Sequence, residues 1–315
     1  DFVTRQEVAM SQPITVEDGW DWSFRDHCRT TTLYKNSQLE SGKNKGGIDE
    51  KPVENIIIPI LRLRYRTEGF DVKDIEMFVD EAENYYKSFL VKKYHTKWAR
   101  ETGLDTFIDK MVESYVDFGS ALVKKTANSI PEVVPFQSIA FCDQTDLLSG
   151  PFAIKHFYAP HELKEMEKVG WGKESNGATI TIDELITLSE DKKTPDKLEG
   201  RQNQTPGAYI ELYEVHGSLP YSFLDNEDYE DDEYGLQMHV VGFYTDSTGL
   251  KQGVSLFSKR EAELPFKMIS NEEIYGRALG RGGVEELVEA QVWVTYGRVR
   301  IKEMLDAAAK IVYKT

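Results

Sequence analysis

The chain has 315 residues, and its 38 basic and 54 acidic side chains give a formal net charge of −16. With 40% apolar and 11% aromatic residues it can bury a sizeable core, so disorder is excluded for most of its length and two domains are the default expectation. A pI near 4.9 excludes a nucleic-acid grip built on phosphate neutralisation. No basic stripe interleaved with aromatics is evident, so no tight grip on duplex DNA is expected. Two cysteines, Cys28 and Cys142, exclude a disulfide framework or a complete zinc site and point to a reduced, cytosolic setting. The longest apolar stretch, Ile56 to Leu61, is far short of the roughly 20 residues that span a bilayer, so no membrane is expected as a partner. No basic-then-apolar signal opens the chain. A start without Met and an end inside an ordered-looking segment are the expectation for a trimmed product.

In chain order, residues 1–55 are polar and glycine-bearing, with aromatics at Trp20, Trp22 and Phe24. Ser41 to Gly47 is expected to be an exposed loop. Its Gly42-Lys43 pair lacks the upstream Gly and following Ser or Thr of a phosphate-binding loop. Apolar residues recur every three or four positions from Asp71 to about Arg100, and again from Leu104 to Tyr115, which predicts two helices, the second ending near Gly119. Short strands are expected at Ala121–Val123 and Ile139–Cys142. Two short helices follow at 160–169 and 181–190, opened by Pro160 and by Thr181 ahead of Glu184 in capping-box spacing. Residues 191–207 are polar and turn-rich, and strands are expected at Tyr209–Val215, Met238–Tyr244 and Val254–Phe257. Seven of the nine residues from Asp225 to Glu233 are acidic; without EF-hand order, a solvated, mobile loop is expected, with a divalent-cation site as the alternative. A Gly/Arg segment, Gly276 to Gly283, is expected to be a flexible corner feeding a long helix from Val284 to Val312.

No constellation carries evident chemistry. His161-Glu162 begins a zinc-protease string, but Glu165 stands where the second His is required. His27-Cys28 has no partner pair at ligand spacing, so a structural role is expected. No nucleophile-elbow motif is present. The Gly/Arg segment is not a dinucleotide fingerprint, and Glu285 and Glu286 would repel a phosphate from the helix N-terminus while complementing its dipole. The sequence therefore nominates no catalytic, cofactor-binding or metal-ligating residue and no cofactor. A carboxylate-dependent hydrolase stays open as an alternative, since it would need two carboxylates held close with separated pKa values.

The long helix is the informative element. At 100° per residue Leu287, Ala290, Val294, Ile301, Leu305, Ala308 and Val312 share one face, flanked by Trp293, Met304 and Ile311, with Gly297 among them. Glu285, Glu289, Arg300, Glu303, Lys310 and Lys314 lie opposite. Such an apolar face must be buried against its own chain or a neighbour. If buried, Leu305→Asp would strand a carboxylate at a cost of several kcal/mol, whereas Glu303→Ala would cost roughly 0–1 kcal/mol.

The strings Tyr275 to Gly280, Val284 to Leu287, Gln291-Val292-Trp293 and Arg300 to Ala308 resemble the stem-helix region of tailed-bacteriophage portal proteins. Asn55 to Ile60, Gly119 to Lys125, Val134-Pro135-Phe136, Phe141-Cys142-Asp143 and Pro160 to Leu163 are similar, in order, to earlier portal segments. The resemblance is loose over most of the chain and closer over 275–309. It implies an α+β, portal-like fold: a mixed helical and β wing region (1–270), a Gly/Arg corner (271–283) and a stem helix (284–315). The clip and crown would lie beyond Thr315. It implies a structural, non-enzymatic subunit of a dodecameric ring, in the virion at the capsid portal vertex and in the host cytoplasm during assembly. Double-stranded DNA would be packaged and ejected through that ring, and the tail would attach to it. The implied partners are copies of the chain, the major capsid protein, a head-to-tail adaptor, the terminase large subunit through the clip, and DNA passing without tight binding. Leu287, Trp293, Val294, Arg300, Ile301, Glu303, Leu305 and Lys310 become the candidate oligomer and channel residues. Another virion structural or scaffold protein would share the composition without the 275–309 strings.

Overall fold

The computed structural model describes residues 2–16, 19–37, 54–69, 85–126, 130–190, 209–224, 233–245 and 251–312. The Ser41–Gly47 loop, the first half of the 71–100 helix, the 191–207 segment and the acidic run apart from Glu233 lie outside the described residues. The fold is α+β. Its first elements are α1 (Phe2–Ser11), β1 (Ile14–Val16), β2 (Trp20–Trp22), α2 (Phe24–Lys35), α3 (Ile57–Glu68), α4 (Tyr85–Thr102) and α5 (Leu104–Phe118). Then follow β3 (Ser120–Lys124), β4 (Glu132–Val134), β5 (Ile139–Phe141), β6 (Phe152–Tyr158), α6 (Pro160–Glu167) and α7 (Ile182–Glu190). The last are β7 (Ile210–Pro220), β8 (Tyr234–Thr245), β9 (Lys251–Arg260), β10 (Phe266–Ser270) and α8 (Gly283–Val312). The chain forms two compact units: residues 1–12 with 137–264, and residues 13–136 with 265–315.

The first unit is an antiparallel sheet in the order β5-β6-β7-β8-β9, so each strand pairs with the next in sequence. Alternation along β7 sends Ile210 and Leu212 to one face, where Val240 of β8 and Val254 and Leu256 of β9 join them. Leu163 of α6, Trp171, and Ile182 and Leu185 of α7 cover that face. The cap read at Thr181 forms in both directions: Glu184 N–H donates to Thr181 Oγ1 at 3.4 Å, and Thr181 N–H donates to the Glu184 carboxylate at 3.1 Å. Strand β6 and helix α1 were not legible in the sequence. Met10 of α1 is fully buried, its sulfur accepting from the Phe141 N–H at 3.2 Å. Gln144 donates to the Ala9 and Gln12 carbonyls at 2.8 and 2.7 Å and so satisfies the end of α1.

The second unit joins helices to a sheet in the order β10-β3-β4. Ile108, Val112 and Val116 recur at i, i+4 and i+8 on α5 and pack with Ile57 and Leu61 of α3, Ala99 of α4 and Val284 of α8. Helix α5 stops at Gly119, with φ +69°, where a Cβ would lie 2.4 Å from the Arg281 carbonyl carbon. A Cβ at Gly282 would lie 2.2 Å from the Asp117 carbonyl oxygen. Backbone therefore packs directly on backbone here. This corrects the expected flexible corner: Gly280, Gly282 and Gly283 serve close approach, and Arg277, Leu279 and Gly280 are buried.

Candidate assembly surface on the long helix

Helix α8 is held at its root by buried polar groups. Arg277 donates from Nε to the Leu279 carbonyl and from Nη2 to the Gly280 carbonyl, each at 2.9 Å. Its two terminal nitrogens bind the Glu285 carboxylate end-on, each at 2.8 Å. The guanidinium also lies 5.5 Å from the Trp22 ring centre. Burial works to raise the Glu285 pKa, but the Arg277 guanidinium outweighs it and holds the carboxyl below its usual range. One turn pair further on, Gln291 is fully buried. It accepts from the Ile56 N–H at 2.8 Å and donates to the Glu54 carbonyl at 2.6 Å and to Thr295 Oγ1 at 3.1 Å. Asn55 Oδ1 accepts from the Ile57 and Ile58 N–H groups at 2.9 and 3.1 Å, so the start of α3 is satisfied beside α8. Arg64 pairs with Glu286 and Arg298 with Glu54.

Beyond Gln291 the character changes. Trp293 is 66% exposed, Ile301 56%, Met304 71% and Leu305 65%. At 100° per residue Trp293, Gly297, Ile301, Met304 and Ala308 fall in a sector of about 80°, turned roughly 120° from Gln291. The apolar face of the sequence reading is thus mostly not the face that meets the chain's own core. Of the eight nominated residues, Leu287 and Val294 are half-buried, and Trp293, Arg300, Ile301, Glu303 and Leu305 are exposed. Arg300 donates to the Tyr296 hydroxyl at 3.1 Å. Lys310 lies within α8, but its side chain is outside the described residues. With Leu305 exposed, the folding cost expected of Leu305→Asp falls away in the single chain, and its effect is confined to assembly.

A second exposed surface was missed in the sequence. Helix α4 presents Tyr85, Tyr86, Phe89, Leu90, Val91, Tyr94 and Trp98 together with Lys92, Lys93, Lys97 and Arg100. Basic and aromatic residues are therefore interleaved after all. The signal was in the sequence as five cations against one acid within 18 residues, diluted by the acidic average of the chain.

Three further titratable clusters are built into the cores. Lys35 of α2 pairs with Glu113 and, at 2.5 Å, with Asp117, while Tyr65 donates to the other Asp117 oxygen. The two neighbouring carboxylates are thus bridged by an ammonium. Burial lowers the Lys35 pKa, yet the pair of carboxylates raises it overall. His27 is pushed down to about 4 by burial and stays neutral. Burial pushes the Cys28 thiol up to about 12, which leaves it unreactive, while Cys142 is exposed. A thiol reagent at pH 8 is expected to titrate Cys142 alone, with Cys28 appearing only on adding denaturant.

In the first unit His216 is fully buried between Glu214 and Glu261, with both ring nitrogens 2.9 Å from carboxylate oxygens. Carboxylates only accept, so the ring donates twice and is an imidazolium. Burial works to lower its pKa, but the two carboxylates raise it above 6.5. The raised folded-state pKa makes this contribution full below pH 6.5 and lost as pH climbs through the folded value. His216→Gln is expected to cost roughly 3–5 kcal/mol at neutral pH, because it removes the cation between Glu214 and Glu261 and leaves Glu214 with His156 as its remaining histidine partner. A melting series from pH 6 to 10 should slope downward in the native chain more steeply than in the variant.

Among the described residues no group of three or more His, Cys, Asp or Glu could hold a metal ion, and no helix is long and apolar enough to cross a membrane. No known family model matches the chain, and no characterised protein matches its sequence.

Proposed function

We propose that this chain is a subunit of the portal ring at the capsid vertex of a tailed bacteriophage, through which double-stranded DNA is packaged and ejected. One observation carries the reading: α8 is clamped at its root and then presents an apolar stripe, Trp293 to Ala308, that its own chain leaves exposed. A helix segment of this length is marginal alone in water, so a partner must cover it. In a ring each α8 lies against the next, and a head-to-tail contact repeats until it closes. The strings at 275–309 add the resemblance to portal stem helices, with residues 1–270 as wing.

The role asks for positioning rather than catalysis. A conduit should not bind its cargo tightly, because each neutralised phosphate adds affinity. A subunit at −16, repeated around an axis, makes a wall along which a duplex slides. In this role the capsid protein, a tail adaptor and the packaging motor are the other partners, and the virion vertex is the location. Native mass spectrometry tests the reading. An integer multiple of 36.1 kDa, about twelvefold if the resemblance is faithful, is expected, and a mass of one chain at micromolar concentration contradicts it.

A further inference from the structure

We infer that the outward side of α4 docks onto the α5 acids of a second copy of this chain. The inference goes beyond the portal reading, because it needs only that the chain self-associates. Ala99 marks the buried side of α4. At 100° per residue Tyr86, Leu90, Lys93 and Lys97 lie roughly 120–180° from it, flanked by Phe89 and Arg100, in one stripe running from aromatic to basic. Lys93 lies 5.6 Å from the Phe89 ring centre, and Lys97 is 3.6 Å from Glu101, so the cations are arrayed along the stripe.

Charge identifies the occupant. Apart from α4, with its five cations and one carboxylate, the chain has 33 basic against 53 acidic residues. Copies of such a chain repel one another unless a local contact opposes the net field, and α4 supplies one. The complement stands one helix on: Asp105 and Asp109 of α5 are exposed and one turn apart, matching the spacing of Lys93 and Lys97. Basic and acidic patches on different helices make a heterologous contact, the kind that closes into rings. Duplex DNA fits less well. It offers nothing to Leu90, which is 48% exposed within the stripe, whereas a protein surface buries it together with the aromatic end.

The test is a charge exchange on the full chain, read by sedimentation velocity at low and high salt. Lys93→Glu with Lys97→Glu is expected to weaken self-association at least tenfold while leaving the circular dichroism unchanged, since both positions are exposed. Mixing that variant with Asp105→Lys/Asp109→Lys chains should restore association, because reversed α4 then meets reversed α5. Unchanged association in the first variant overturns the inference. So does a failure of the mixture to recover, or a variant that loses duplex binding instead of self-association. An α8 variant, Met304→Ser, separates the two readings: if it alone disrupts assembly, the α8 contact stands and the α4 inference fails.

Discussion

Trp293→Asp is expected to leave a folded single chain and abolish its assembly. Trp293 is 66% exposed and lies across α8 from the Gln291 clamp, so its replacement removes little burial within the chain. An exposed helix position of this kind changes folding stability by about 1 kcal/mol or less. In the proposed ring the same position sits in an apolar contact, where an unpaired carboxylate costs roughly 3 kcal/mol or more at every interface. Closure repeats that loss around the ring. Sedimentation velocity should show native chains as a ring and the variant as monomers, with matching thermal melts. A variant that unfolds would place Trp293 in the chain's own core instead.

Arg277→Ala should do the opposite and strike folding. The guanidinium is only 8% exposed, yet it satisfies the Leu279 and Gly280 carbonyls and both oxygens of Glu285. Removing it leaves a partly buried carboxylate and two carbonyls without their donor, at about 3–5 kcal/mol. Arg277→Lys should recover only part, because an ammonium cannot make the bidentate pair and the two carbonyl bonds at once. Urea unfolding should show a lowered midpoint for both, larger for the alanine. The corner then no longer fixes the direction in which α8 leaves the unit, so ring yield should fall along with stability.

The two variants mark what the sequence can and cannot show. Periodicity found α8 and the apolar stripe on it, and Gly119 and Thr181 announced a helix end and a helix start because their local chemistry acts over three or four residues. What covers a stripe is a tertiary fact. Val284 and Gln291 chose the buried side of α8, and Gln291, a polar residue, carries no hydrophobic signal. Arg277 was hidden for a related reason: its partner Glu285 is eight residues away across a turn, and Gly280 and Gly282 admit the backbone of 117–119 through contacts remote in sequence. Strand β6 was missed because Phe152 to Tyr158 places His156 on the covered face, where it meets Glu214 at 3.0 Å and breaks the apolar alternation. Helix α2 had a legible start, Ser23 three residues before Asp26, and Ser23 Oγ accepts from the Asp26 N–H at 3.4 Å. Neighbouring aromatics and glycines masked that signal. In α3, Pro59 occupies the first turn, where its missing N–H is harmless, although Pro after an apolar run suggests an end.

Electron cryomicroscopy of the assembled particle would locate α8 relative to the symmetry axis. The expectation is a closed ring in which α8 runs beside the axis with Trp293, Ile301 and Met304 buried against the neighbouring subunit. A particle without cyclic symmetry, or a ring whose α8 lies far from its axis with that stripe still exposed to solvent, would contradict it.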